Sequence, residues 1–204
     1  MSSRIVTIPN FLTVIRMVLI PVFVMLLYYQ RFGWALFVFV SAGLTDGLDG
    51  LLARRFKQGS QLGAILDPIA DKLLLVTAFV TLSLPSVMSK TALPPPHQSV
   101  HLPVPFWVTT AVISRDVFIL VGAAAINIVT GFRNFRPSWL GKANTVVQIA
   151  AVVLILLATR LPVLRGNLLP TVYATVFLFA ALSGAHYIFH VSRLLNEDKQ
   201  PRGQ

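Results

Sequence analysis

Cysteine is absent from the 204 residues, which removes disulfides, thiolate nucleophiles and cysteine-ligated zinc and leaves the redox compartment undetermined. Acid is nearly as scarce. Asp and Glu number seven against 17 Lys and Arg, and charged residues make up 12% of a chain that is 55% hydrophobic. A soluble protein of 22.4 kDa needs more charge than this to cover its surface. With a mean hydropathy of +0.75 and apolar runs recurring from end to end, the chain reads as an integral membrane protein. The acids are Asp46, Asp49, Asp67, Asp71, Asp116, Glu197 and Asp198. The first five lie within or against apolar runs, where an ionisable group is costly and marks function. The first ten residues hold one Arg, a Pro and no small-residue cleavage site, so they read as leading into a first anchor rather than as a cleavable signal. No internal repeat appears.

Six apolar segments, each near the roughly 20 residues that cross a bilayer, are expected at about 11–29, 35–53, 64–84, 106–130, 139–159 and 169–189. The expected fold is therefore all-α: one polytopic membrane domain over residues 1–204 with six transmembrane helices. Residues 85–105 form the longest connection and carry Pro94, Pro95 and Pro96 in series, which predicts an extended surface loop. Cytoplasmic loops retain Lys and Arg. One side collects Arg4, Arg54, Arg55, Lys57, Arg133, Arg136, Lys142, Arg193, Lys199 and Arg202, and the other only Arg31, Lys90, Arg160 and Arg165. Both termini and the connection between the second and third helices are thus expected in the cytoplasm. The formal charge of +10 fits that bias together with attraction to anionic lipid headgroups. Nucleic-acid binding is a poor alternative, because the basic residues are spread over many connections.

The stretch LTDGLDGLLARRFKQGSQLGAILDPIADK carries the chemistry. On helices, Asp46 and Asp49 are i and i+3, and Asp67 and Asp71 are i and i+4, so each pair shares a face. A short connection between two antiparallel helices would bring the faces together near the cytoplasmic boundary. Four carboxylates converging in low dielectric repel strongly unless something positive sits among them. A lone acid pair would suit a proton relay or an internal salt bridge. Four acids without cysteine or a convergent histidine suit hard divalent cations, Mg²⁺, Mn²⁺ or Ca²⁺, and two such ions can clamp a phosphate or diphosphate. Gly47, Gly50 and Ala53 lie along the same turns, where small residues permit close approach of a ligand.

These residues spell D-x-x-D-G-x-x-A-R, eight residues, then G-x-x-x-D-x-x-x-D, through Asp46, Asp49, Gly50, Ala53, Arg54, Gly63, Asp67 and Asp71. The pattern resembles the signature of the CDP-alcohol phosphatidyltransferases, and the six-helix layout extends the resemblance over nearly the whole chain. It implies that Asp46, Asp49, Asp67 and Asp71 bind two divalent cations, Mg²⁺ or Mn²⁺. It implies further that Asp71 is the general base on the acceptor hydroxyl, that Gly50 and Ala53 border a cytidine pocket with Arg54 beside it, and that CMP leaves. The opening IPNFLTVIR looks like the family's first segment, in which Asn10 and Arg16 lie close to the diphosphate; snorkelling of Arg16 to the interface is the bland reading.

Arg115, with Ser114 and Asp116, interrupts the fourth apolar segment and either braces an acid or faces the acceptor's phosphate. Arg133, Arg136 and Lys142, in GFRNFRPSWLGKANT, look like the family's acceptor-side basic patch, although a positive-inside loop explains them equally. The partners implied are CDP-diacylglycerol, membrane lipids, and glycerol 3-phosphate or phosphatidylglycerol, with a homodimer as the assembly that small members often form. Resemblance to phosphatidylglycerophosphate synthases favours glycerol 3-phosphate. Against it, that group usually carries a second Arg about two turns beyond Arg115, where this chain has Gly122 and Ala123. ISRDV and GKANT look more like CMP-forming cardiolipin synthases. A reading of another class, a small membrane cation carrier, predicts acids near mid-membrane and has no need of the eight-residue gap.

The four histidines form i, i+4 pairs, His97 with His101 and His186 with His190. Neither pair has an acid beside it, so zinc is disfavoured, and the second pair is expected at a helix C-terminus. Trp34, Trp107 and Trp139 fall near expected membrane boundaries, as an interfacial belt requires.

Overall fold

The computed structural model describes residues 8–56, 61–88, 103–130, 139–161, 164, 166 and 168–198, with side chains described over 11–45, 69–88, 103–122, 139–161, 164, 166 and 168–189. Among the described residues every regular element is helical: α1 (Ile8–Tyr28), α2 (Phe32–Phe56), α3 (Gln61–Ser83), α4 (Pro85–Met88), α5 (Phe106–Thr130), α6 (Trp139–Arg160) and α7 (Leu168–Asp198). The six long helices coincide with the six apolar segments to within a few residues except at the end of α7. Windows of α1 (Phe11–Tyr28), α6 (Trp139–Arg160) and α7 (Leu168–Phe189) are long and apolar enough to cross a membrane. The outer faces agree. Phe11, Met25, Phe37, Phe118, Leu120, Val146, Ile188 and Phe189 are all exposed, an apolar exterior that a water-facing monomer does not carry.

The contacts divide the chain into two compact units, Met1–Val104 with Val152–Leu169, and Pro105–Ala151 with Pro170–Gln204. In the first, α1 packs against both α2 and α3, and α2 touches α3. Phe23 of α1 meets Phe39 of α2 with ring centroids 5.6 Å apart. Phe79, Leu82, Ile155 and Leu156 are buried in the same unit. α1 ends in a Schellman motif: Arg31 N donates to Leu26 O at 2.8 Å and Gln30 N to Leu27 O at 3.0 Å. The left-handed position, usually glycine, is Gln30 at φ 60°. Its side chain repays that strain, because Nε2 donates to the Val87 carbonyl and ties the end of α1 to α4.

The segment after α3 departs from the extended surface loop. Pro85 opens α4, where its missing N–H costs nothing, and the amides of Val87 and Met88 donate to Leu84 O at 3.1 and 3.2 Å. Val87, Met88 and Val104 are buried, and Val104 N donates to Leu82 O at 3.1 Å. Apolar side chains flanking the prolines therefore pull both ends of the connection into the core. Residues 89–102, with the triple proline, His97 and His101, lie outside the described residues. The end of α7 is also corrected. The helix runs on to Asp198, so His186 and His190 sit inside it rather than at its C-terminus; the added turns, VSRLLNED, are rich in helix formers.

Candidate active site

In the first unit the site rests on one ion pair. Arg16, well inside an apolar helix, is fully buried, and its Nη1 donates to Asp71 Oδ1 of α3 at 2.6 Å, with the Asp71 side chain 36% exposed. Snorkelling is thereby excluded. A guanidinium out of water needs a counter-charge, and α1 lies against α3 in the position to supply it. Thr13, one turn earlier, is buried too, so this face of α1 turns inward at its polar positions. Both residues are in the expected site set. Their pairing was not legible, because an intramembrane Arg calls for an acid without saying which of four.

Asp46 and Asp49 stand three residues apart on one continuous helix, α2, and Asp67 and Asp71 four apart on α3, so the expected face-sharing holds at backbone level. The side chains of Asn10, Asp46, Asp49, Gly50, Ala53, Arg54 and Asp67 lie outside those described, as do residues Arg133 and Arg136 altogether. Among the described residues no three potential ligands gather. Of the four expected ligands, Asp71 is the one whose side chain is among those described. It is a hard oxygen donor with a partly exposed carboxylate, one oxygen of which accepts from Arg16. That chemistry fits a divalent cation.

In the second unit Arg115 is 8% exposed. Its Nη1 donates to Asp116 Oδ1 at 2.6 Å, and Nε and Nη2 donate to Ser183 Oγ of α7 at 3.2 and 2.6 Å. Three of the five guanidinium N–H groups are thus engaged, two of them bracing α5 to α7 and the third paired with the adjacent Asp116 of α5 itself. Lys142, in the first turn of α6, is exposed. Ser183 was missed from the sequence, although a Ser-Gly pair inside the apolar run FLFAALSGAHY was a signal for close helix packing.

Beside this brace an apolar cavity of about 670 Å³ lies between α5 and α7, lined by Phe118, Phe177, Ala181, Ile188 and the Tyr187 ring among others. Gly122 makes room for that ring: a Cβ there would lie 2.7 Å from Tyr187 Cε1 and 3.1 Å from its hydroxyl. Gly122→Ala is therefore expected to displace Tyr187 and cost about 1–3 kcal/mol by overpacking, read as a lowered thermal midpoint that Gly122→Ala/Tyr187→Leu recovers.

Two further polar residues went unnoticed. Asn144 and Gln148 of α6 have no exposed surface, and none of their four amide N and O atoms has a hydrogen-bond partner. Each unsatisfied group costs about 1–3 kcal/mol, and native proteins hold few.

The family model for CDP-alcohol phosphatidyltransferase matches residues 6–187, which takes in every residue of the acid motif. A protein of Mycobacterium tuberculosis named "Probable phosphatidylglycerophosphate synthase" is 30% identical over 94% of this chain and 84% of its own length. The "CDP-diacylglycerol--glycerol-3-phosphate 3-phosphatidyltransferase" of Blochmanniella floridana is 30% identical over 94% of both chains. The "Cardiolipin synthase (CMP-forming)" of Streptomyces coelicolor is 30% identical over 97% of this chain and 88% of its own. With the acid motif, the helical layout and the matched span in agreement, the chain belongs to the CDP-alcohol phosphatidyltransferase family, membrane enzymes of phospholipid biosynthesis.

Proposed function

We propose that this protein transfers the phosphatidyl group of CDP-diacylglycerol to glycerol 3-phosphate and releases CMP. The observation that carries the reading is the buried Arg16–Asp71 pair, which holds the last acid of the motif in one orientation. Asp71 takes the proton of the acceptor hydroxyl; the oxygen bonds to the phosphatidyl phosphorus, and the P–O bond to CMP breaks. Asp46, Asp49, Asp67 and Asp71 would hold two divalent cations, Mg²⁺ or Mn²⁺, which supply neutralisation of the diphosphate charge when bound. Asn10, Arg16, Gly50, Ala53 and Arg54 border the CDP moiety. Lys142, Arg133, Arg136 and the two uncommitted N–H groups of Arg115 draw the acceptor's phosphate. The six long helices span the membrane, with both termini and the acids on the cytoplasmic side, as the ten-to-four distribution of basic residues supports.

One observation favours phosphatidylglycerol as the acceptor instead. Gly122, where a second Arg would serve a phosphorylated polyol, lies under the Tyr187 ring beside an apolar cavity. Purified protein given CDP-diacylglycerol, Mg²⁺ or Mn²⁺, and each acceptor in turn decides between them by CMP release. We expect release with glycerol 3-phosphate, its loss in EDTA and its return with excess Mg²⁺ or Mn²⁺. No CMP with any glycerol, inositol or serine acceptor would sink the reading, and full activity in EDTA would remove the cations from it.

A further inference from the structure

Arg160 ends α6 and Arg31 immediately precedes α2, both within the first unit. The Arg160 guanidinium reaches across to α2, where Nη2 lies 2.9 Å and Cζ 3.5 Å from the position a Cβ would take on Gly33. The missing side chain of Gly33, two residues after Arg31, is what seats it. Both arginines are exposed, and neither guanidinium has a hydrogen bond or ion pair among the described residues. No acid occurs in the first 45 residues or between Asp116 and Glu197, so α1, the start of α2 and α6 offer no counter-charge. The acids of α2 begin at Asp46, about 20 Å along the helix axis from Gly33, and Asp71 of α3 is taken by Arg16. The C-terminal pole of α6 would suit Arg160, but the guanidinium bonds none of the last carbonyls. It is turned to α2 instead, where the helix pole is positive and the first turn holds no acid. Two cations beside a positive pole repel unless an anion lies among them.

The surroundings identify the anion. Tyr28, Tyr29 and Trp34, which flank Arg31 in the chain, are exposed, and Trp and Tyr at the ends of apolar helices mark the headgroup level of a bilayer. The α1 and α6 helices that end here are both long and apolar enough to cross one. We infer that Arg31 and Arg160 bind the phosphate of an anionic phospholipid headgroup, joining the start of α2 to the end of α6 at the end of α2 remote from its acids. A guanidinium presents parallel N–H groups that match phosphate oxygens, and the neighbouring rings suit the glycerol and the first methylenes of the chains. The site uses the membrane setting alone and is independent of which acceptor the enzyme takes.

The test follows thermal unfolding of the full-length protein in mixed micelles holding either phosphatidylcholine or phosphatidic acid, an anionic lipid outside the proposed reaction. Phosphatidic acid should raise the wild-type midpoint by about 3–6 °C relative to phosphatidylcholine. Arg160→Gln and Arg31→Gln should each lose more than half of that rise, whereas Arg202→Gln, which removes a charge beyond α7, should keep it. Gly33→Ala is the sharper variant. It keeps every charge, and its Cβ displaces only the flexible end of Arg160. Its midpoint with phosphatidylcholine should match wild type while its response to phosphatidic acid weakens as in Arg160→Gln. Equal rises in wild type, Arg160→Gln and Gly33→Ala would show that basic charge anywhere on the protein suffices, and would overturn the site. A midpoint lowered equally in both lipids by Arg160→Gln overturns it as well, since that marks a packing role. Inorganic phosphate added to the phosphatidylcholine micelles should give no rise; a rise equal to that of phosphatidic acid assigns the arginines to a free anion and overturns the headgroup.

Discussion

Asp71→Asn is expected to lower CMP release by roughly 10²- to 10⁴-fold, the range that a positioned general base contributes. Asn preserves the volume of the side chain and an oxygen to accept from Arg16 Nη1, but it cannot take the acceptor's proton. The substitution has a second effect that has to be separated from the first. Arg16 is fully buried and its Nη1 lies 2.6 Å from Asp71, so neutralising Asp71 leaves a buried cation facing a neutral partner. A drop in rate could then reflect a loosened α1–α3 contact. Arg16→Met/Asp71→Asn removes that buried charge as well. Its thermal midpoint should recover relative to Asp71→Asn, while CMP release stays lost. Should Asp71→Asn keep the full rate, the base is another group, although membership of the family is untouched.

Arg16→Met alone should destabilise the protein by less than the 3–5 kcal/mol typical of breaking a fully buried pair. The residue left behind, Asp71, is 36% exposed and regains water. In a double-mutant cycle with Asp71→Asn, read by thermal unfolding in detergent, the coupling should fall between about 0.5 and 3 kcal/mol. Additive single effects would show that the contact carries no net energy. Arg16→Lys keeps the charge but loses the planar fork, so it should retain most of the stability and less of the rate. Because Arg16 is also proposed to approach the diphosphate, its loss should raise the KM for CDP-diacylglycerol.

Most of the helical layout was legible because it follows from local quantities. Apolar run length sets a membrane-crossing helix, and the six long helices of the structure fall on the six runs. The acid motif was legible for a related reason: helical periodicity puts Asp46 with Asp49 and Asp67 with Asp71 on common faces, whatever the surroundings. Misreadings came where local cues and packing disagree. Prolines around residues 85–105 argued for a surface loop, yet Val87, Met88 and Val104 gain more by burial. The end of the apolar run at Phe189 argued for a helix end, yet helix-forming residues carry α7 to Asp198.

Partner choice was the other gap. Arg16 and Arg115 each stood out in the sequence as cations within apolar runs, Arg16 read as a diphosphate contact or a snorkelling side chain and Arg115 as a brace to an acid or a phosphate contact. Run length and period do not reveal that Arg16 finds Asp71, 55 residues away, or that Arg115 shares itself between adjacent Asp116 and Ser183, 68 residues on. The same holds for Gly122, whose importance lies in the ring of Tyr187 above it, and for the amides of Asn144 and Gln148, ordinary polar residues until burial strips them of water. The sequence by itself determined the membrane setting, the helices and the acid motif, because hydrophobicity and helical period act over a few turns. Which polar groups meet, and which are buried without a partner, was decided only by tertiary packing, since burial and pairing depend on residues brought together from distant parts of the chain.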